Sequence, residues 1–80
     1  MPKNYVPYEL ALKLNEKGYK GPSKAYYNIY NKNIFIQNPI KHNEAIWAPT
    51  FGETIDWFKE KHNIDVLASV ESIELALNKI

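Results

Sequence analysis

Apolar residues recur at helical spacing in some stretches of this chain and alternate in shorter ones. The clearest helical stretch follows Ala48. Phe51, Ile55, Phe58 and His62 fall at i, i+4, i+7 and i+11, a single stripe on one helix. Pro49 keeps the residue before it out of the helical region. Thr50 takes the N-cap place, and Glu53, three residues on, completes a capping box. Glu53 and Asp56 near the start, with Lys59, Lys61 and His62 near the end, suit the helix dipole. Asn63 is the expected stop. At ~100° per residue, Trp57 projects roughly 130° from the stripe's centre. It either packs at the edge of the core or belongs to an exposed patch that receives a partner.

The other elements follow from the same patterning. Residues 1–6 read as an extended lead-in. Pro7 suits a first helical turn, Tyr8 to Lys17 continues it, and Gly18 is the expected C′ residue. Leu10, Ala11 and Leu14 form one stripe, while Tyr8 and Leu12 lie nearly opposite, so this helix is covered on both sides or offers one to a partner. Lys20-Gly21-Pro22-Ser23 is a turn. Ala25 to Tyr30 and Ile34 to Gln37 read as a hairpin around Asn31-Lys32-Asn33, with Asn supplying left-handed angles. If Ile29 opposes Ile34, then Tyr27 opposes Ile36, and Tyr27, Ile29, Ile34 and Ile36 share the buried face. Such parity requires an even loop, of about two or four residues. The second face then carries Tyr26, Asn28, Tyr30, Asn33, Phe35 and Gln37.

Asn38 to Asn43 reads as a loop, and Ala45 to Ala48 as a third strand. Ile64 to Ala68 reads as a fourth strand, covered on both faces because Val66 and Leu67 point opposite ways. Ser69 caps a last helix with the stripe Val70, Ile73, Leu77 and Ile80, and Ile80 is expected to dock. The order α-β-β-β-α-β-α predicts one α+β domain over residues 1–80. Three helices cover one face of a small antiparallel or mixed sheet of three to four strands.

Composition narrows the function. All ten basic residues are Lys, against nine acidic ones, for a formal charge of +1. Bidentate Arg recognition of phosphate or guanine is therefore absent, and a dedicated nucleic-acid binder is disfavoured. With no cysteine there is no disulfide framework, zinc thiolate or cysteine nucleophile. No apolar run approaches the roughly 18 residues of a membrane span, and no secretory h-region opens the chain, which points to the cytoplasm of the cell that makes it.

Several segments together carry a resemblance. Tyr5-Val-Pro-Tyr-Glu-Leu-Ala-Leu-Lys-Leu14, then Gly18, the pair Tyr26-Tyr27, the block Ala48-Pro-Thr50 with Asp56-Trp-Phe-Lys-Glu-Lys-His62, and the helix Glu71 to Ile80 span nearly the whole chain. This pattern resembles a family of short proteins encoded by phages and prophages of Bacteroidetes bacteria. The Ala-Pro-Thr and Trp-Phe-Lys-Glu-Lys blocks are its most specific parts. Where that family commonly has Tyr after Pro-Thr, this chain has Phe51, so no hydroxyl acts there. Gly52-Glu53 stand where it commonly has Gln. The resemblance implies a phage-related origin and carries over no activity.

Candidate chemistry is sparse. His42 and His62 have no diagnostic ligand spacing around them, so no metal or other cofactor is expected. Ser23, Ser69 and Ser72 read as turn and cap residues, and Glu53 and Asp56 as helix-start carboxylates. No enzymatic activity is expected. The candidate binding surface is aromatic: Tyr26, Tyr30 and Phe35, with Trp47, Trp57, Lys24 and Lys32. Tyr8 and Leu12 are candidate interface residues, for the aromatic strand face or for a second copy. The leading expectation is an interaction protein, as a homodimer, with a host or phage protein as partner. The alternative is a protein that sequesters a nucleotide signal, with rings for the base and lysines for the phosphate. Single-strand nucleic-acid binding ranks below both.

Overall fold

The computed structural model describes residues 4–21, 23–36 and 45–80. Gln37, the loop with His42, and Pro22 lie outside the described residues. The order is α1 (Tyr8–Glu16), β1 (Tyr26–Asn28), β2 (Ile34–Phe35), β3 (Ala45–Trp47), α2 (Phe51–His62) and α3 (Val70–Leu77). The class is α+β, with three helices and one antiparallel sheet in the order β2-β1-β3.

Helix ends follow local chemistry. Gly18 adopts φ +100°, the Gly18 amide donates to the Asn15 carbonyl at 3.1 Å, and that of Tyr19 to Leu14 at 3.0 Å. These two bonds form a Schellman motif, which folds the chain back over α1. At α2, the Thr50 hydroxyl accepts the Glu53 amide at 3.0 Å, and the Glu53 carboxylate accepts the Thr50 amide at 2.9 Å, so the capping box is complete. The Phe51 amide donates to the Asn4 carbonyl and that of Val6 to Pro49, which staples the N-terminal segment to the start of α2. Asn63 ends α2 in the left-handed region at φ 54°. The Ser69 hydroxyl caps α3 by accepting the Ser72 amide.

The hairpin keeps the expected parity but not the expected pairing. Tyr27 opposes Ile34 and Tyr26 opposes Phe35. Asn28 and Asn33 close the loop through a 2.9 Å backbone bond, so the four residues 29–32 form the turn and Ile29 leaves the strand. The Asn28 carboxamide oxygen accepts the amides of Tyr30 and Asn31, bending the chain there. The left-handed residue is Lys32, at φ 61°, and not an asparagine.

Ile64 to Ala68, expected as a fourth strand, joins no ladder. Its backbone serves the flanking helices instead: the Ile64 amide returns to the Phe58 carbonyl, and the Leu67 amide donates to the Ser72 hydroxyl. Val66 is buried while Leu67 is 75% exposed, so the segment is covered on one side only. Chiefly, α1 lies against β3, α3 against α1, and α2 against α3. Leu14, Tyr19, Phe58, Ile73 and Val6 are the largest apolar side chains sealed at the centre.

The α2 stripe is rotated from expectation. Thr54, Trp57 and Phe58 are its buried residues, Phe51 and Ile55 are half-buried, and His62 is exposed. Tyr19, brought over by the Schellman turn, meets the Trp57 ring edge-on at 5.6 Å and turns that face inward. In α3, Ile73 and Leu77 are buried as the stripe required, joined by Ala76, with Val70 and Ile80 packed beside them.

Candidate functional site

Each face of the sheet carries one row of side chains. Tyr27, Ile34 and Ile46 share the core face. There Tyr8 meets Tyr27 edge-on at 5.5 Å, and the Tyr27 hydroxyl donates to the Val6 carbonyl. Tyr26, Phe35 and Trp47 share the other face, with Tyr26 between its neighbours at 5.9 Å from Phe35 and 4.9 Å from Trp47. Interplanar angles of 26° and 33° make this a row of roughly parallel rings.

The anticipated binding residues are therefore not one surface. Tyr26 and Trp57 are buried, Phe35 and Trp47 half-buried, and Tyr30 is 75% exposed. Lys24 is exposed, whereas Lys32 sits at the core-face end, 3.5 Å from the Glu9 carboxylate and over the Tyr8 ring. Lys32 is thereby removed from the aromatic row it was expected to serve. Tyr8 and Leu12 are both half-buried, with Tyr8 engaged inside its own chain.

The edges of the sheet differ. β3 is closed at Trp47 by Asn15 of α1, whose side-chain amide bonds both backbone groups of Trp47. Ser23 finishes that end of the sheet, its hydroxyl donating to the Ala48 carbonyl at 2.9 Å. β2 has no such cover among the described residues. In antiparallel pairs, successive residues direct their backbone groups alternately toward and away from the neighbour. Asn33 and Phe35 point to β1, so Ile34 points outward, and no hydrogen bond reaches its backbone among the described residues. Ile36 is 53% exposed, and no charge lies within Asn33–Ile36 to guard this edge. The residue types alone did not reveal it, because an edge is a property of strand order.

A cleft of about 450 Å³ opens beside Trp57, lined by Lys17, Gly18, Lys20, Gly21, Lys61 and His62. Lys17, Lys61 and His62 stand at the C-terminal ends of α1 and α2, where cations offset the helix dipole. The neighbouring hollow carries Glu53, Asp56 and Glu60. His62 lies 4.8 Å from the Trp57 ring.

Tyr19 was missed in the sequence, although an apolar residue just after a C′ glycine is the usual companion of a Schellman turn. Burial, reinforced by the Glu53 carboxylate, pushes its phenol well above the ordinary tyrosine value. Burial likewise raises Tyr27.

Among the described residues no group of three His, Cys, Asp or Glu side chains could hold a metal ion, and no helix is long and apolar enough to cross a membrane. Compared with known protein families, curated proteins and solved structures, the chain matches none.

Proposed function

We propose that this is a non-enzymatic interaction protein that receives an extended segment of a protein partner along β2. One observation carries the reading: Asn15 closes the β3 edge, whereas no hydrogen bond among the described residues reaches the outward backbone groups of Ile34 on the β2 edge. An added strand gains affinity from main-chain hydrogen bonds and specificity from alternate side chains. Exposed Ile36 and Tyr30 beside that edge supply apolar area for the second part. The resemblance to phage and prophage proteins makes a host or phage protein the natural partner.

The test is selection of displayed peptides against the wild-type chain and against Ile34→Pro, which removes the outward amide donor of β2. Binders should shift the amide resonances of Ile34 to Ile36 and lose affinity for the proline variant. Binders indifferent to that variant, or no binders, would overturn the reading.

A second reading is a nucleotide-binding protein. The cleft beside Trp57, with Lys17, Lys20 and Lys61 on its rim, favours it. A thermal-shift panel of linear and cyclic nucleotides checks this; no stabilisation by any of them removes it.

A further inference from the structure

We infer that the groove beside Trp57 docks a dipolar peptide segment of a partner protein, one that carries an acidic and a basic side chain close together. This goes beyond the strand-acceptor reading and uses none of its residues.

Two hollows of about 450 and 290 Å³ meet at Trp57 and share Gly21, Trp57 and Lys61. Gly21 brings no side chain to divide them. At ~100° per residue, Glu53, Asp56 and Glu60 fall on one flank of Trp57 along α2, and Lys61 falls on the other. The chain leaving the Schellman turn adds Lys20 to the basic flank. The charges are thus sorted by sign across one groove.

These charges do not neutralise one another within the chain. The ion pairs among the described residues are Lys13–Glu74, Lys32–Glu9 and Lys59–Asp65. Lys20, Lys61, Asp56 and Glu60 are exposed and belong to none of them. Asp56 and Glu60 stand one turn apart, a like-charged spacing that weakens a helix. Glu53, by contrast, is engaged by the Thr50 amide, and Lys17 by the Ile80 carbonyl.

A second observation points to an acceptor on the ligand. Trp57 is only 7% exposed, and no hydrogen bond among the described residues reaches its indole N–H. No buried side-chain nitrogen is sealed without a partner, so this N–H keeps contact with the groove. Tyr19, Phe58 and His62 crowd the ring at 5.6, 4.9 and 4.8 Å, which leaves no broad face for a base to stack on. The indole N–H, Lys20 and Lys61 are donors suited to a carboxylate, while Asp56 and Glu60 accept from an ammonium or guanidinium. One short segment with both kinds of side chain serves both flanks. A purely anionic ligand would meet the carboxylates beside its site.

The probes are blocked peptides with one Glu and one Lys separated by one to three alanines, followed in ¹⁵N spectra of the wild-type chain. At least one should move the Trp57 indole N–H resonance saturably. Gln in place of either charge should weaken it about two- to fivefold, the worth of one exposed ion pair. Raised salt should weaken it too. Lys20→Glu/Lys61→Glu should lose about tenfold or more, since attraction becomes repulsion. That variant should instead prefer a peptide with Lys at both positions, a gain that damage to the fold would not produce. No indole shift with any peptide, or equal affinity for charged and Gln peptides, overturns the inference. Shifts confined to Ile34 and its neighbours overturn it and leave the strand-acceptor reading standing. An indole shift with AMP or GMP but not with the peptides overturns it in favour of the nucleotide reading.

Discussion

Asn15 and Trp47 are joined by a closed pair of hydrogen bonds: Asn15 Oδ1 accepts the Trp47 amide at 3.0 Å, and Nδ2 donates to the Trp47 carbonyl at 3.0 Å. The same Nδ2 donates to the Ala11 carbonyl at 2.7 Å, so the carboxamide uses both N–H groups and its oxygen. A side chain of α1 thus stands where a neighbouring strand would be.

Replacing Asn15 by Leu should cost about 1–3 kcal/mol, because two part-buried backbone groups of Trp47 lose their partners. In a domain of this size, each kcal/mol lowers the melting temperature by roughly 4–8 °C. The Trp47 amide should also exchange with solvent faster, while that of Tyr27, inside the ladder, keeps its protection. An unchanged melting temperature would mean that the bonds are dispensable.

Thr50→Ala should cost about 1 kcal/mol, and Thr50→Ser much less, since the cap needs only an acceptor oxygen. Glu53→Ala removes the reciprocal bond. The double variant Thr50→Ala/Glu53→Ala should lose less than the sum of the singles, as residues in one network couple. Urea unfolding of the four proteins measures this directly; strict additivity would argue against a cooperative box.

Gly18 and Gly21 should respond differently to alanine. Gly18 has φ +100° and open space around a built Cβ, so Gly18→Ala carries only the backbone penalty, about 1–2 kcal/mol. Gly21 has φ +94°, and its Cβ would meet the Trp47 ring at 3.4 Å and the Ser23 amide nitrogen at 3.3 Å. Gly21→Ala should therefore destabilise more. Equal melting temperatures for the two variants would contradict this.

Alkaline pH should unfold the protein through Tyr19. Its folded-state phenol titrates above the ordinary value of about 10, so above that pH the unfolded chain releases the proton first. The native state then holds more protons, and stability falls as pH rises. Below about pH 10 the contribution is fully present. Tyr19→Phe should flatten the decline between neutral and strongly alkaline pH, leaving the part due to Tyr27, whose phenol is raised by burial. Denaturant melts across that range give the slope, and an unaltered slope in Tyr19→Phe would locate the titration elsewhere.

What the chain states by itself is whatever neighbouring residues settle among themselves. Thr50 with Glu53, Gly18 after α1 and Ser69 before α3 each act within one turn, where loose backbone donors and acceptors find partners close in sequence. The parity that puts Tyr27 with Ile34 is equally local, because one slip would exchange the two faces. Folding decided the rest. Asn15 finds Trp47 across 32 positions, Tyr19 turns Trp57 inward, and Ile64 and Leu67 spend their amides on helix ends in place of a ladder. The edge position of β2 exists only because β1 and β3 both lie on its other side. Burial and edge position depend on which distant segments arrive, and periodicity along one segment carries no record of its neighbours.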